Sequence, residues 1–192
     1  NALSKKELSF AGCEEPVVQS GKTSVEDIPL LIEKKSACVQ WRVQPVGNIA
    51  LTSVQSGKAV TPANNSASAG ATIEQDEWNS SATQQGLDAQ QWKFVHAEQG
   101  YYHVHSKANP KLCLAVMNKS IVPGTGVELA ECGDTHSQWL VDYLHDGTVK
   151  IANRKSTLPL DLANCGVADH TSFAQGHWFN TPCQKFQLKP IN

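Results

Sequence analysis

The chain has 192 residues, which suits one domain with a substantial core and would be cramped for two. Apolar residues make up 40% and charged residues only 18%, and the remaining polarity comes from hydroxyls and amides, the latter including 14 Gln and 11 Asn. The net charge is −2 and no more than two basic residues are adjacent anywhere, which argues against a nucleic-acid binder or a polybasic membrane contact; no apolar run, Ile28 to Ile32 included, is long enough to span a bilayer.

In chain order, the sequence starts at Asn1 without a basic-then-apolar leader, which reads as a processed or excised segment whose signal peptide has gone. Ser24 to Lys35 is predicted to hold one short helix. Ser24 with Asp27 resembles a capping box, and Pro29 is tolerable in a first turn. Cys13 and Cys38 bracket this stretch. Residues 1–37 are read as an N-terminal extension or linker and residues 38–192 as the domain proper.

From residue 38 onward the chain repeats itself. Gln40-Trp41-Arg42-Val43, Gln91-Trp92-Lys93-Phe94 and Gln138-Trp139-Leu140-Val141 are similar phrases, and Gln184-Lys185-Phe186-Gln187-Leu188 is a weaker fourth. Trp92, Trp139 and Phe186 stand 47 residues apart, as do Val104 and Ile151 in the alternating runs that precede each turn. The first repeat is longer because residues 79–89 carry an insertion rich in Ser, Gln and Gly. Period-2 runs separated by Gly, Asn, Ser and Pro read as strands and turns. About four strands in each of three repeats predict an all-β closed barrel with a hairpin cap, which removes exposed sheet edges. The recurring Trp92, Trp139 and Phe186 are expected in the shared core.

Six cysteines, Cys13, Cys38, Cys113, Cys132, Cys165 and Cys183, form no Cys-x-x-Cys pair and have no His at ligand spacing, so zinc is disfavoured. Three disulfides made in an oxidising compartment are expected, with fifteen connectivities open by count alone.

This pattern resembles the ricin-type β-trefoil lectin domain, a carbohydrate-binding module whose repeats end in Gln-x-Trp. Gln90-x-Trp92 fits it fully, Gln184-x-Phe186 fits with an aromatic exchange, and Ser137-x-Trp139 is one step off. The resemblance implies a β-trefoil of three repeats over about residues 38–189. It also implies a Cys113–Cys132 disulfide, because the family often joins a cysteine before the Leu-Asp position to one nineteen residues on. The equivalent positions are Ala59 with Trp78 and Pro159 with Trp178, where a large ring would fill the space of a disulfide. Cys13–Cys38 and Cys165–Cys183 remain as pairs by proximity.

The resemblance further implies one shallow sugar pocket per repeat: a carboxylate for adjacent hydroxyls, a ring for the apolar sugar face and an amide to orient the rest. The acid position falls on Thr61, Ala115 and Asp161, so only the third repeat keeps it. The stacking ring would fall on Gly176, and Trp178, Phe179 or Phe173 is the substitute, with Trp178 alternatively in the core. Gln175, His177, Asn180 and Gln184 are the candidate polar contacts. The expected site is therefore Asp161, Trp178, Gln175, Asn180 and Gln184.

No Gly-x-Ser-x-Gly, His-Glu-x-x-His or phosphate loop occurs, and no carboxylate pair is set for glycoside hydrolysis. His96, His103 and His105 lack an acidic or thiol neighbour at ligand spacing and read as surface residues, so no catalysis, metal or cofactor is expected. The expected function is non-catalytic binding of carbohydrate, galactose-type or polysaccharide, by a secreted module or subunit with a catalytic domain or partner subunit beside it. The alternative is a protein-interaction trefoil, either a toxin's cell-binding subunit or a protease inhibitor. Asn64, Asn79 and Asn118 each begin an Asn-x-Ser sequon.

Overall fold

The computed structural model describes the strands at 19–22, 29–34 and 41–45 and residues 47–78 and 83–191. Alternation produces the strands as expected. In Trp92–His96 and Tyr101–Ser106, buried and solvent-facing side chains take turns, because a strand sends successive residues to opposite faces.

The N-terminal strands β1 (Gln19–Lys22), β2 (Pro29–Lys34) and β3 (Trp41–Pro45) form a separate antiparallel sheet in that order. This corrects the helix expected over Ser24 to Lys35, since residues 29–34 are a strand. A run as short as Leu30-Leu31-Ile32 has no periodicity that separates helix from strand, and proline is accepted as the first residue of a strand. The Ser24–Asp27 box, Cys13 and Cys38 lie outside the described residues.

Twelve strands follow, four per repeat. The first repeat holds β4 (Ile49–Ser53), β5 (Ala59–Pro62), β6 (Ile73–Asp76) and β7 (Trp92–His96). The second holds β8 (Tyr101–Ser106), β9 (Leu112–Val116), β10 (Val127–Glu131) and β11 (Gln138–Tyr143). The third holds β12 (Val149–Asn153), β13 (Leu160–Leu162), β14 (Phe173–Gln175) and β15 (Phe186–Pro190). Each of β4, β7, β8, β11, β12 and β15 pairs antiparallel with the next, and β15 pairs back with β4, so six strands close a barrel. The hairpins β5–β6, β9–β10 and β13–β14 cap it, and bridges Thr72–Glu128, Glu74–Ser172 and Gly126–Ala174 join them around the pseudo-threefold axis. The fold is an all-β trefoil.

Trp92, Trp139 and Phe186 are fully buried in the common core. Both indoles donate Nε1–H to a carbonyl of their own repeat, Trp92 to Val60 (2.9 Å) and Trp139 to Leu114 (2.8 Å), while Phe186 packs on Phe173. Burying such a ring is worth several kcal/mol, and truncation to alanine costs about 3–5 kcal/mol. The insertion of the first repeat contains one short helix, α1 (Gln84–Ala89), capped by Thr83 Oγ1, which accepts from the Gly86 N–H at 3.3 Å.

Two glutamines lock repeat to repeat. Gln75 is buried and its Nε2 donates to the carbonyls of Gly166 (3.0 Å) and Ala168 (2.8 Å) in the third repeat. Gln175, 100 residues on, donates in the same way to Ser120 (3.2 Å) and Val122 (2.9 Å) in the second. Their Oε1 atoms accept from Ser56 and Ser156, both at 2.6 Å. Disulfides join Cys113 to Cys132 and Cys165 to Cys183.

Candidate functional site

Asp161 is the middle residue of β13. Its neighbours Leu160 and Leu162 point into the core, so the strand's alternation turns the carboxylate outward on the hairpin face. Across the hairpin it pairs with Ala174, two residues before Gly176. Glycine at 176 is what lets the acid lie there, because a Cβ at that position would run into the Asp161 carboxylate. The place where a stacking ring would begin is thus filled by the acid itself.

Gln184, at the end of the turn 182–184, holds the arrangement. Its Nε2 donates to Asp161 Oδ2 (3.0 Å) and to the His177 carbonyl (2.5 Å), and its Oε1 accepts from the Phe179 N–H (2.7 Å). Among the described residues no group donates to Asp161 Oδ1. Burial pushes the Asp161 carboxyl above its ordinary pKa, and the Gln184 hydrogen bond offsets this only in part.

The rings are not equivalent. Phe179 is 72% exposed, with His177 edge-on to it. Trp178 is 37% exposed, as is Trp78 in the first repeat, so neither ring is swallowed by the core. The Lys150 ammonium sits 5.4 Å from the centroid of Trp178 and is itself held by Asp142 at 2.6 Å. Phe173 belongs to the core and presents no face to solvent. Asn180 is exposed, in a left-handed turn with φ 58°. Gln175 is fully buried and its amide is spent on the second repeat, so it does not reach the face where Asp161 and Gln184 meet.

At the other two acid positions Thr61 and Ala115 are buried. Gln90, the first-repeat counterpart of Gln184, repeats the bond to the neighbouring loop by donating to the Glu77 carbonyl (2.7 Å). His105 lies beside Cys113 and Cys132 as a group of metal-ligand types, but both sulfurs are committed to the disulfide. His96 packs on Tyr102. The residues that sequence reasoning missed are Lys150, which only the β11–β12 hairpin brings over Trp178, and Gly176 as the position that accommodates Asp161. Neither carries a local signal in the sequence, since each acts on a residue brought to it by the fold.

Residues 88–176 match the family model described as ricin-type beta-trefoil lectin domain-like. Over that span, a little under half of the chain, the sequence is similar to that family. No curated protein matches it. Among solved structures, the designed threefold-symmetric protein ThreeFoil is 29% identical with a TM-score of 0.69, covering 76% of this chain and 100% of its own. An exo-beta-1,3-galactanase from Clostridium thermocellum is 20% identical with a TM-score of 0.69; the likeness covers 85% of this chain but only 38% of the galactanase. The Rhizoctonia solani agglutinin is 17% identical with a TM-score of 0.66, covering 77% of this chain and 97% of its own. The last two likenesses speak for the trefoil fold. Among the described residues, no helix is long and apolar enough to cross a membrane.

Proposed function

We propose that this ricin-type lectin-like domain binds a neutral sugar on the hairpin face of its third repeat, without catalysis, as a secreted module or subunit of a larger protein. The observation that carries the reading is the outward carboxylate of Asp161, with Oδ1 open and Oδ2 fixed by Gln184. An ionised carboxylate accepts from two adjacent hydroxyls at once, and charge-assisted hydrogen bonds are the stronger kind. Phe179 supplies the exposed ring, with Trp178 flanking it, and Asn180 supplies an amide at the rim. Gln184 acts as a positioning residue for the acid, and Gln175 as a brace between repeats. Two disulfides among the described residues support an oxidising, extracellular setting. The galactanase, of which the likeness covers 38%, supports a module's role beside a catalytic domain.

A pocket with one acid and one exposed ring should bind a monosaccharide at a dissociation constant on the order of 1 mM. Calorimetric titration with galactose and a panel of oligosaccharides, for the parent and for Asp161→Asn, tests it. Loss of binding in the variant supports the reading, while equal binding by both assigns Asp161 to its own turn. Ile121, Val122 and Val167, exposed on the hairpin-end loops, favour the second reading, a protein-interaction trefoil, and absence of binding by either protein would promote it.

A further inference from the structure

The two repeats that lack an acid on the hairpin face are the two whose next turn carries a glycan-acceptor sequence. Asn64-Asn65-Ser66 follows Thr61, and Asn118-Lys119-Ser120 follows Ala115. The turn after Asp161 reads Asn164-Cys165-Gly166 and has no hydroxyl. Asn64, Asn118 and Asn164 share one left-handed conformation, with φ of 55°, 53° and 52°. Asparagine tolerates that region, which accounts for the Asn in all three turns. The hydroxyls of Ser66 and Ser120 accept from the N–H groups of Ser68 (3.2 Å) and Val122 (3.1 Å), yet the third repeat closes the same turn with Gly166. The turn itself therefore does not require the hydroxyl.

Asn64 and Asn118 are exposed, and among the described residues neither side-chain amide makes a hydrogen bond. The contrast is with Asn109 and Asn153, whose amides donate to the carbonyls of Ala67 (2.9 Å) and His136 (2.8 Å) and tie loops down. The first-repeat turn borders the face that has lost its acid, since Thr61 Oγ1 lies 3.5 Å from Asn65 Oδ1.

We propose that Asn64 and Asn118 carry N-linked glycans that cover the acid-less faces of the first and second repeats and leave the Asp161 face bare. The inference rests on the secretory setting proposed above. The co-reactant is an oligosaccharide on a polyprenyl diphosphate. The Asn amide nitrogen forms a bond to sugar C1 and loses one proton. The C1–O bond breaks, and the lipid diphosphate leaves with its electron pair. A bulky hydrophilic adduct needs an exposed acceptor, and these two amides are exposed and unused.

The test is to secrete the full chain from cultured eukaryotic cells and release glycans with N-glycosidase in heavy-oxygen water, which turns each occupied Asn into labelled Asp. Peptide mapping should find the label at Asn64 and Asn118, read separately from Asn79, which lies outside the described residues. Ser66→Ala and Ser120→Ala should each remove one glycan while the chain keeps its fold by circular dichroism. A secreted chain with both disulfides formed and no label at Asn64 and Asn118 overturns the inference and leaves the sugar-binding reading intact. A label at one site alone overturns the shielding of the other repeat. A chain that is not secreted with its disulfides formed overturns the premise and the inference with it. Enzymatic removal of the glycans should leave galactose titration unchanged, and a binding site gained on removal would overturn the view that the first two faces are empty.

Discussion

The first and third repeats run in register, 100 residues apart through their hairpins and 94 apart at Trp92 and Phe186, and they close the same joint by different means. In the third repeat Cys165, in the turn after β13, is bonded to Cys183, just before β15. The first-repeat counterparts are Asn65 and Ala89, and there the inserted helix α1 packs on the turn, with Gln85 Nε2 reaching the Asn65 carbonyl at 3.5 Å. The second repeat uses charge. Lys119, the counterpart of Cys165, bonds Asp134 at 2.7 Å, and Asp134 also holds His136. A covalent link, a helix and an ion pair thus occupy one place in a repeating scaffold. The barrel asks only that the turn be held near the strand that re-enters the core, and any interaction that does so suffices.

That comparison can be sharpened by removing each joint. The largest effect is expected from replacing both Cys165 and Cys183 with Ser. A closed loop with a sequence separation of 18 implies a loss of about 3 kcal/mol in the chain-entropy model, read as a lower denaturation midpoint. A pair variant that unfolds at the parent's midpoint would mean that the third repeat does not depend on its link. Thr83→Ala, which removes the helix cap in the first repeat, should cost about 1 kcal/mol in the same assay.

Lys119→Ala should cost less, about 0–1 kcal/mol, and the cost should shrink in high salt because the pair is exposed. Lys119 and then His136 hold the Asp134 carboxyl well below the usual carboxylate range. A depressed folded pKa contributes stability that is present above the ordinary value of about 4 and is lost as pH falls through the folded value. Acid should therefore loosen the second joint while the disulfide of the third is indifferent, which hydrogen exchange in the two turns would resolve.

Asp161→Asn should change stability least. Its carboxyl is raised by burial, so the ionised form costs the folded state stability above its folded pKa, and that cost disappears as pH falls below the unfolded value. The variant's melting temperature at neutral pH should equal or exceed the parent's. Sugar binding needs the ionised form, so affinity should fall on acidification, beginning above the ordinary carboxylate range. A melting temperature well below the parent's would make Asp161 a structural residue.

Much of this molecule was legible in the chain alone. The 47-residue spacing of Trp92, Trp139 and Phe186 specified three repeats and their shared core, because a buried ring at a fixed register leaves a periodic trace in sequence. The same register placed Thr61, Ala115 and Asp161 at equivalent positions of β5, β9 and β13, and of the three only Asp161 is not buried. The N-terminal strand at 29–34 is not legible in the chain, because three apolar residues carry no period.

Other features are long-range, and only the tertiary structure decided them. Gln175 looked like a polar contact, but its amide serves Ser120 and Val122, more than fifty residues away. Trp178 lies under Lys150 because the β11–β12 hairpin folds there. Gly176 lacks a ring, yet only the geometry shows that Asp161 occupies the vacated space. Periodicity reports which face a residue takes on its own strand. Which group meets that face is set by how three repeats close around one axis, and a local reading of the chain does not contain that distance.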